Sequence, residues 1–166
     1  MSTGLLLYTL FHVLISLIGI GTGFVVVHGL LKDKRYPSAT AWFLITTVLT
    51  SVTGFGFPFE KFLPSHAFGI VSLLILPLAI LGLYVYRLKG AWGWLYIVSS
   101  ITALYLNCFV LVVQLFLKVP PLRALAPTQS EPPFAIAQGA VFLLFIWLGV
   151  SATRRALKAP RVQQHA

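Results

Sequence analysis

Acidic residues are nearly absent from this chain. Of 166 residues only three are Asp or Glu, against twelve Lys or Arg, and charged residues make up 9% of the whole. A soluble domain is about a quarter charged, so this chain has too few charges to cover a water-exposed surface. Its single cysteine, Cys108, excludes an intrachain disulfide or a thiolate metal cluster. The net charge of +9 does not mark a nucleic-acid binder. That reading needs basic residues gathered on a polar, solvated face, and here they sit in short breaks between apolar runs. No P-loop, GxGxxG or HExxH motif occurs, so phosphoryl transfer and nicotinamide chemistry have nothing to carry them. A Ser/His/Asp set is unsupported too, because the only aspartate, Asp33, falls at the opposite end of the expected bundle from His12 and His66.

What the chain has instead is apolar length. Hydrophobic residues are 58% of the sequence and mean hydropathy is +0.94. Crossing a hydrocarbon core of about 30 Å takes about 20 apolar residues in a helix. Five runs meet or approach that length: 5–31, 39–57, 67–86, 92–117 and 134–153. They are continuous rather than alternating, which excludes barrel strands. In lipid the backbone must satisfy itself, which makes such runs helices. The expectation is an all-α transmembrane bundle of five spans, a single integral membrane domain over 1–166. The first run follows Met1–Gly4, which carries no basic residue, and is about twice the length of a signal-peptide core, so it is expected to be a retained span.

Orientation follows from the basic residues. Lys32, Lys34, Arg35, Arg87, Lys89, Arg154, Arg155, Lys158 and Arg161 fall on one side, and only Lys61, Lys118 and Arg123 on the other. The positive-inside rule then places the N-terminus outside and 154–166 as a basic cytoplasmic tail. Tyr36, Tyr84, Tyr86, Trp92, Trp94 and Tyr96 are aromatic anchors near the inner interface. Pro37-Ser38, Pro64-Ser65 and Pro132-Pro133 punctuate helix starts, and Pro77 is expected to kink the third run. Three plus two spans make no simple inverted repeat, which counts against a secondary transporter.

Polar side chains are costly in lipid and mark the faces turned inward. In the first run Thr9, His12, Ser16, Gly19 and Gly23 share about one quadrant. The Gly19/Gly23 pair suits a packing seam, or room for a flat cofactor. The second run carries a hydroxyl-rich arc of Thr46, Thr47, Thr50, Ser51 and Thr53. In the fourth, Ser100, Asn107 and Gln114 recur at seven-residue spacing. A buried amide needs a partner, either another helix or a bound ligand. With Gln138 in the fifth run and Glu60 and His66 near the start of the third, these residues point to an outward polar pocket. Its candidate ligand-binding residues are His12, Glu60, His66, Asn107, Gln114 and Gln138. The two outer connections, around 54–66 and 119–133, are proline-rich with apolar residues, as suits a stiff lid.

The histidines leave cofactor chemistry open. Bis-histidine haem needs two ligands facing each other at one depth. His12 and His66 share a side but differ by about one to two turns in depth, and His28 lies roughly 160° around the helix from His12. A mononuclear metal site from His12, His66 and Glu60 is conceivable, with no spacing that specifies it. No catalytic set emerges.

Several segments carry a resemblance. Asn107, Gln114, Lys118-Val119-Pro120, Ala124-Leu125-Ala126-Pro127-Thr128 and Glu131-Pro132-Pro133-Phe134, with Thr53-Gly54-Phe55-Gly56-Phe57-Pro58, resemble a family of small multi-pass integral membrane proteins of bacteria that has no assigned activity. Leu10-Phe11-His12-Val13 followed by Gly19 and Gly23 resembles the first span of bacterial b-type cytochrome-like and copper-export membrane families, without their further histidines. The resulting expectation is a protein of the bacterial inner membrane, non-enzymatic, binding a small molecule or lipid or serving as an accessory subunit. Its partners would be the lipid bilayer and a second copy or a larger membrane complex. Alternatives are a redox protein holding haem or quinone, and a small permease.

Overall fold

The computed structural model describes residues 2–58 and 64–158. Each of the five apolar runs is helical over most of its length: α1 (Thr3–Lys32), α2 (Pro37–Gly54, three residues short of the expected end at 57), α3 (Pro64–Ile80), α4 (Ala91–Lys118) and α6 (Pro132–Lys158), with a short α5 (Pro120–Leu125) inside the last connection. Among the described residues there is no strand. Four helical segments are long and apolar enough to cross a membrane: Thr3–Lys32, His66–Val85, Ala91–Lys118 and Pro132–Lys158.

Local chemistry sets the ends. The Ser2 hydroxyl caps α1 by accepting from Leu5 N–H at 3.3 Å. At the other end Asp33 takes a left-handed conformation (φ 54°) and its N–H closes on the Gly29 carbonyl. Pro37 opens α2 and Pro120 opens α5, where a missing N–H costs nothing. Pro77 lies inside α3, and one turn later the helix widens into a π-turn, Leu81–Val85. Within it Gly82 is buried, and a Cβ there would lie 3.0 Å from the Trp92 carbonyl and 3.3 Å from Tyr96 Cβ. That close approach brings the end of α3 onto the start of α4.

Side-chain contacts fix the topology. His12 meets Thr53 while Gly23 abuts Phe43, so α1 and α2 run antiparallel. Phe55 stacks on His66, placing the end of α2 beside the start of α3. Phe68–Phe109 and the Gly82–Trp92 approach make α3 and α4 antiparallel, and Phe116–Phe134 with Gln138–Phe109 do the same for α4 and α6. The start of α1, the end of α2, the start of α3, the end of α4 and the start of α6 therefore share one end, the one expected to face outward. The core lies where α1, α2, α3 and α4 meet, around Phe43, Thr47, Leu76, Ser100 and Leu104.

The surface is apolar. On α2 the exposed positions include Trp42, Ile45, Leu49 and Val52, while Thr46, Thr47 and Ser51 are buried. Two of these hydroxyls bond within the helix, Thr46 donating to the Trp42 carbonyl (2.6 Å) and Ser51 to that of Thr47 (2.9 Å). A helix with hydroxyls inside and aliphatics outside inverts the pattern of a water-soluble bundle.

Candidate functional site

The end of the α1–α2 seam where α1 starts and α2 finishes is built around His12. The imidazole is half-buried, with Nδ1 2.8 Å from the Thr53 hydroxyl. That hydroxyl donates to the Leu49 carbonyl at 2.7 Å. With its one proton committed there, Thr53 accepts from His12, which puts the imidazole proton on Nδ1 and leaves Nε2 as an acceptor. Nε2 has no hydrogen-bond partner among the described residues. Phe57 packs edge-on to the imidazole (centroids 5.1 Å apart, planes at 87°) and also against Tyr8. The Tyr8 hydroxyl donates to the Thr53 carbonyl at 2.6 Å, and Ser16 links the next turn by donating to the His12 carbonyl at 2.7 Å with Thr50 Oγ1 3.3 Å away. Thr53 was read from sequence only as part of the hydroxyl-rich arc of α2, without its pairing to His12, and Tyr8 was not singled out at all. Tyr8 lies one turn before His12 on the same face, and that i, i+4 spacing is the signal that finds it.

The other expected site residues spread over three neighbouring contacts. His66 is buried at the start of α3, its ring 5.8 Å from that of Phe55 and nearly parallel to it. His12 and His66 thus pack on different residues at the end of α2. Asn107 reaches across to α2, where its Nδ2 donates to Thr47 Oγ1 at 3.3 Å. Gln138 is buried, and its Nε2 donates to the Phe109 carbonyl of α4 at 3.2 Å. Its Oε1 is buried with no partner among the described residues. Gln114 lies exposed on α4. Seven residues at 100° each fall about 20° short of two turns, so the Ser100–Asn107–Gln114 stripe drifts from fully buried through half-buried to exposed. Glu60 and Lys61 lie outside the described residues. Among those that are described, no group of three His, Cys, Asp or Glu gathers to hold a metal.

The Gly19/Gly23 seam is filled by protein. A Cβ on Gly19 would touch Thr46, and one on Gly23 would touch Leu104 and Phe43. No flat slot is left between those turns.

The connection between α4 and α6 is tied down by side-chain hydrogen bonds. The Gln129 amide donates to the Val113 carbonyl at 2.9 Å, tying the loop to α4. The Glu131 carboxylate accepts from the Thr128 N–H (3.2 Å), the Thr128 hydroxyl (2.9 Å) and the Ser130 N–H (3.1 Å). Desolvation pushes this carboxyl up, but the hydrogen bonds together outweigh it and hold the group below its ordinary value. A carboxyl depressed in the folded state stabilises the loop above its unfolded pKa, and that contribution is lost as pH falls through the folded one. Amide-exchange protection of Thr128 and Ser130 is therefore expected to fall on acidification in the native chain and to be flat with pH in Glu131→Gln. An equal pH response in both chains would mean that Glu131 does not order the loop.

Comparison with known proteins finds no matching family model, no matching curated protein and no matching solved structure. What defines the protein is thus its own architecture: an all-helical fold with four helices suited to crossing a membrane and a polar, histidine-bearing seam at one end.

Proposed function

We propose that the chain is a five-span protein of the bacterial inner membrane, N-terminus outside and C-terminus inside, that binds a small amphipathic molecule or lipid at its outer end without catalysing a reaction. It acts alone, as a homo-oligomer or as an accessory subunit of a larger membrane assembly. The inverted pattern of α2, hydroxyls inward and Trp42, Ile45, Leu49 and Val52 outward, supports counting it as the fifth span. The basic residues at the end opposite His12 support the orientation.

The observation that carries the binding reading is the buried, unmatched Oε1 of Gln138. An amide oxygen withdrawn from water without a donor is costly. His12 Nε2 is a second acceptor in the same half of the bundle. Both groups ask for a donor, so a ligand bearing a hydroxyl or amine on an apolar body suits them. Native mass spectrometry of the purified chain is expected to show a retained small molecule or lipid. His12→Ala and Gln138→Leu should each reduce its occupancy at least tenfold, roughly the value of one lost buried hydrogen bond. If neither variant changes what is retained, the outer site is not where binding occurs.

One observation favours a redox reading second. Histidines that ligate a metal usually donate their other ring N–H to a fixed acceptor, as His12 Nδ1 does to Thr53. Haem bound through Nε2 would give the preparation a Soret band, with an α-band on reduction, both lost in His12→Ala. A colourless preparation removes haem and leaves quinone.

A further inference from the structure

At the opposite end of the bundle α4 and α6 part to leave a groove of about 400 Å³. Its wall is apolar, with Ile101 on one side and Phe145 on the other, and Gly149 forms the floor. Trp94, Thr153 and Arg154 close its inner mouth. From Phe145 to Arg154 is nine residues, about 13 Å of helix rise, close to half the thickness of a hydrocarbon core. The groove therefore has the depth of one acyl chain in one leaflet. The Arg154 guanidinium and the Trp94 indole N–H have no hydrogen-bond or ion-pair partner among the described residues. Arg155 and Lys158 follow in the same last turns of α6.

We propose that this groove binds one anionic phospholipid, its acyl chain against Ile101, Phe145 and Gly149 and its phosphate at Arg154, Trp94 and Thr153. Charge complementarity selects the occupant. The mouth offers donors and a full positive charge with no acid in the lining, which suits a phosphodiester carrying no compensating amine. An apolar slot capped by an arginine and a tryptophan also fits the depth profile of a lipid, whose charge and interfacial region lie above its chain. Only the leaflet that supplies the lipid depends on the proposed orientation. The groove lies at the far end of α4 and α6 from Gln138, so the outer-end variants leave it intact.

The test uses the full chain purified in detergent, incubated with equal amounts of phosphatidylglycerol and phosphatidylcholine of identical acyl chains, and read by native mass spectrometry. The native chain is expected to retain phosphatidylglycerol about fivefold over phosphatidylcholine, the selectivity one basic residue near the surface confers. Arg154→Gln should bring that ratio close to one, and Arg154→Lys should keep most of it. Gly149→Leu should fill the floor and lower retention of both lipids. Arg154 is exposed, so its replacement leaves the packed core untouched and keeps the test valid if Gly149→Leu fails to fold. A ratio of one in the native chain, or a preference that survives Arg154→Gln, overturns the proposal. A dimer mass in the native chain that becomes monomeric in Gly149→Leu overturns it as well, because a second copy would then cover the groove.

Discussion

Gly23→Ala is expected to destabilise the bundle by about 1–3 kcal/mol, while Gly21→Ala, two residues away, should be neutral or slightly stabilising. The two glycines share a helix and differ in what surrounds them. A Cβ on Gly23 would lie 2.6 Å from Leu104 Cδ1 and 3.0 Å from the Phe43 ring, whereas one on Gly21 meets nothing within 4 Å. Leu104 and Phe43 are themselves fully buried, so neither has space to retreat into. This is the point where α1, α2 and α4 touch, and one added methyl must push one of the three helices away. Pairing Gly23→Ala with Leu104→Ala should cost less than the sum of the two single changes, because the second substitution removes the atom the first collides with. A coupling of about 0.5–3 kcal/mol is expected from contacting positions. Reversible unfolding in mixed micelles measures the native chain and all four variants. Equal stability of the Gly21 and Gly23 variants would mean that the three helices do not close on one another there.

The helices were legible because in this chain the signal is length, not periodicity. Each apolar run became a helix, and Pro37, Pro64 and Pro132 stand at the starts of α2, α3 and α6. The Gly19/Gly23 seam was legible as a close approach, and the structure identifies what approaches: threonines at Gly19, and Phe43 with Leu104 at Gly23. The inward turn of the α2 hydroxyls was harder to read. The threonines of α2 lower its hydropathy, yet hydroxyls that bond back to their own helix carry little cost inside a bundle. The amides of α4 show where spacing misleads. A seven-residue repeat looks like one face, but its drift turns Gln114 out while Asn107 still reaches Thr47. The partners of the histidines could not be read at all. Thr53 meets His12 across 41 residues of sequence and Tyr8 across 45, and only the antiparallel register of α1 and α2 decides which threonine faces the ring. Sequence supplied the residue types that crowd the His12 end, and tertiary packing decided which of them paired and which acceptor was left over.

Leu143→Asp should cost about 3–4 kcal/mol, and Leu157→Asp close to nothing, if the chain sits in a bilayer as proposed. Both side chains are among the most exposed on α6, Leu143 at 68% and Leu157 at 78%. In water both substitutions would be mild, since an exposed leucine loses little packing and surface changes stay within about 0.5 kcal/mol. Hydrocarbon reverses this for Leu143 alone. It lies near the middle of Pro132–Lys158, where an aspartate is far from either interface and the leucine it replaces was favourable against lipid. Leu157 sits in the last turn beside Arg154, Arg155 and Lys158, where an acid stays hydrated among cations. Exposure alone therefore predicts two equal, small effects, and depth in a membrane predicts one large and one small. Measuring insertion of the α6 segment into microsomal membranes, with and without each change, separates them. Equal, small effects would remove the membrane placement, and the lipid groove between α4 and α6 would then have no lipid to face.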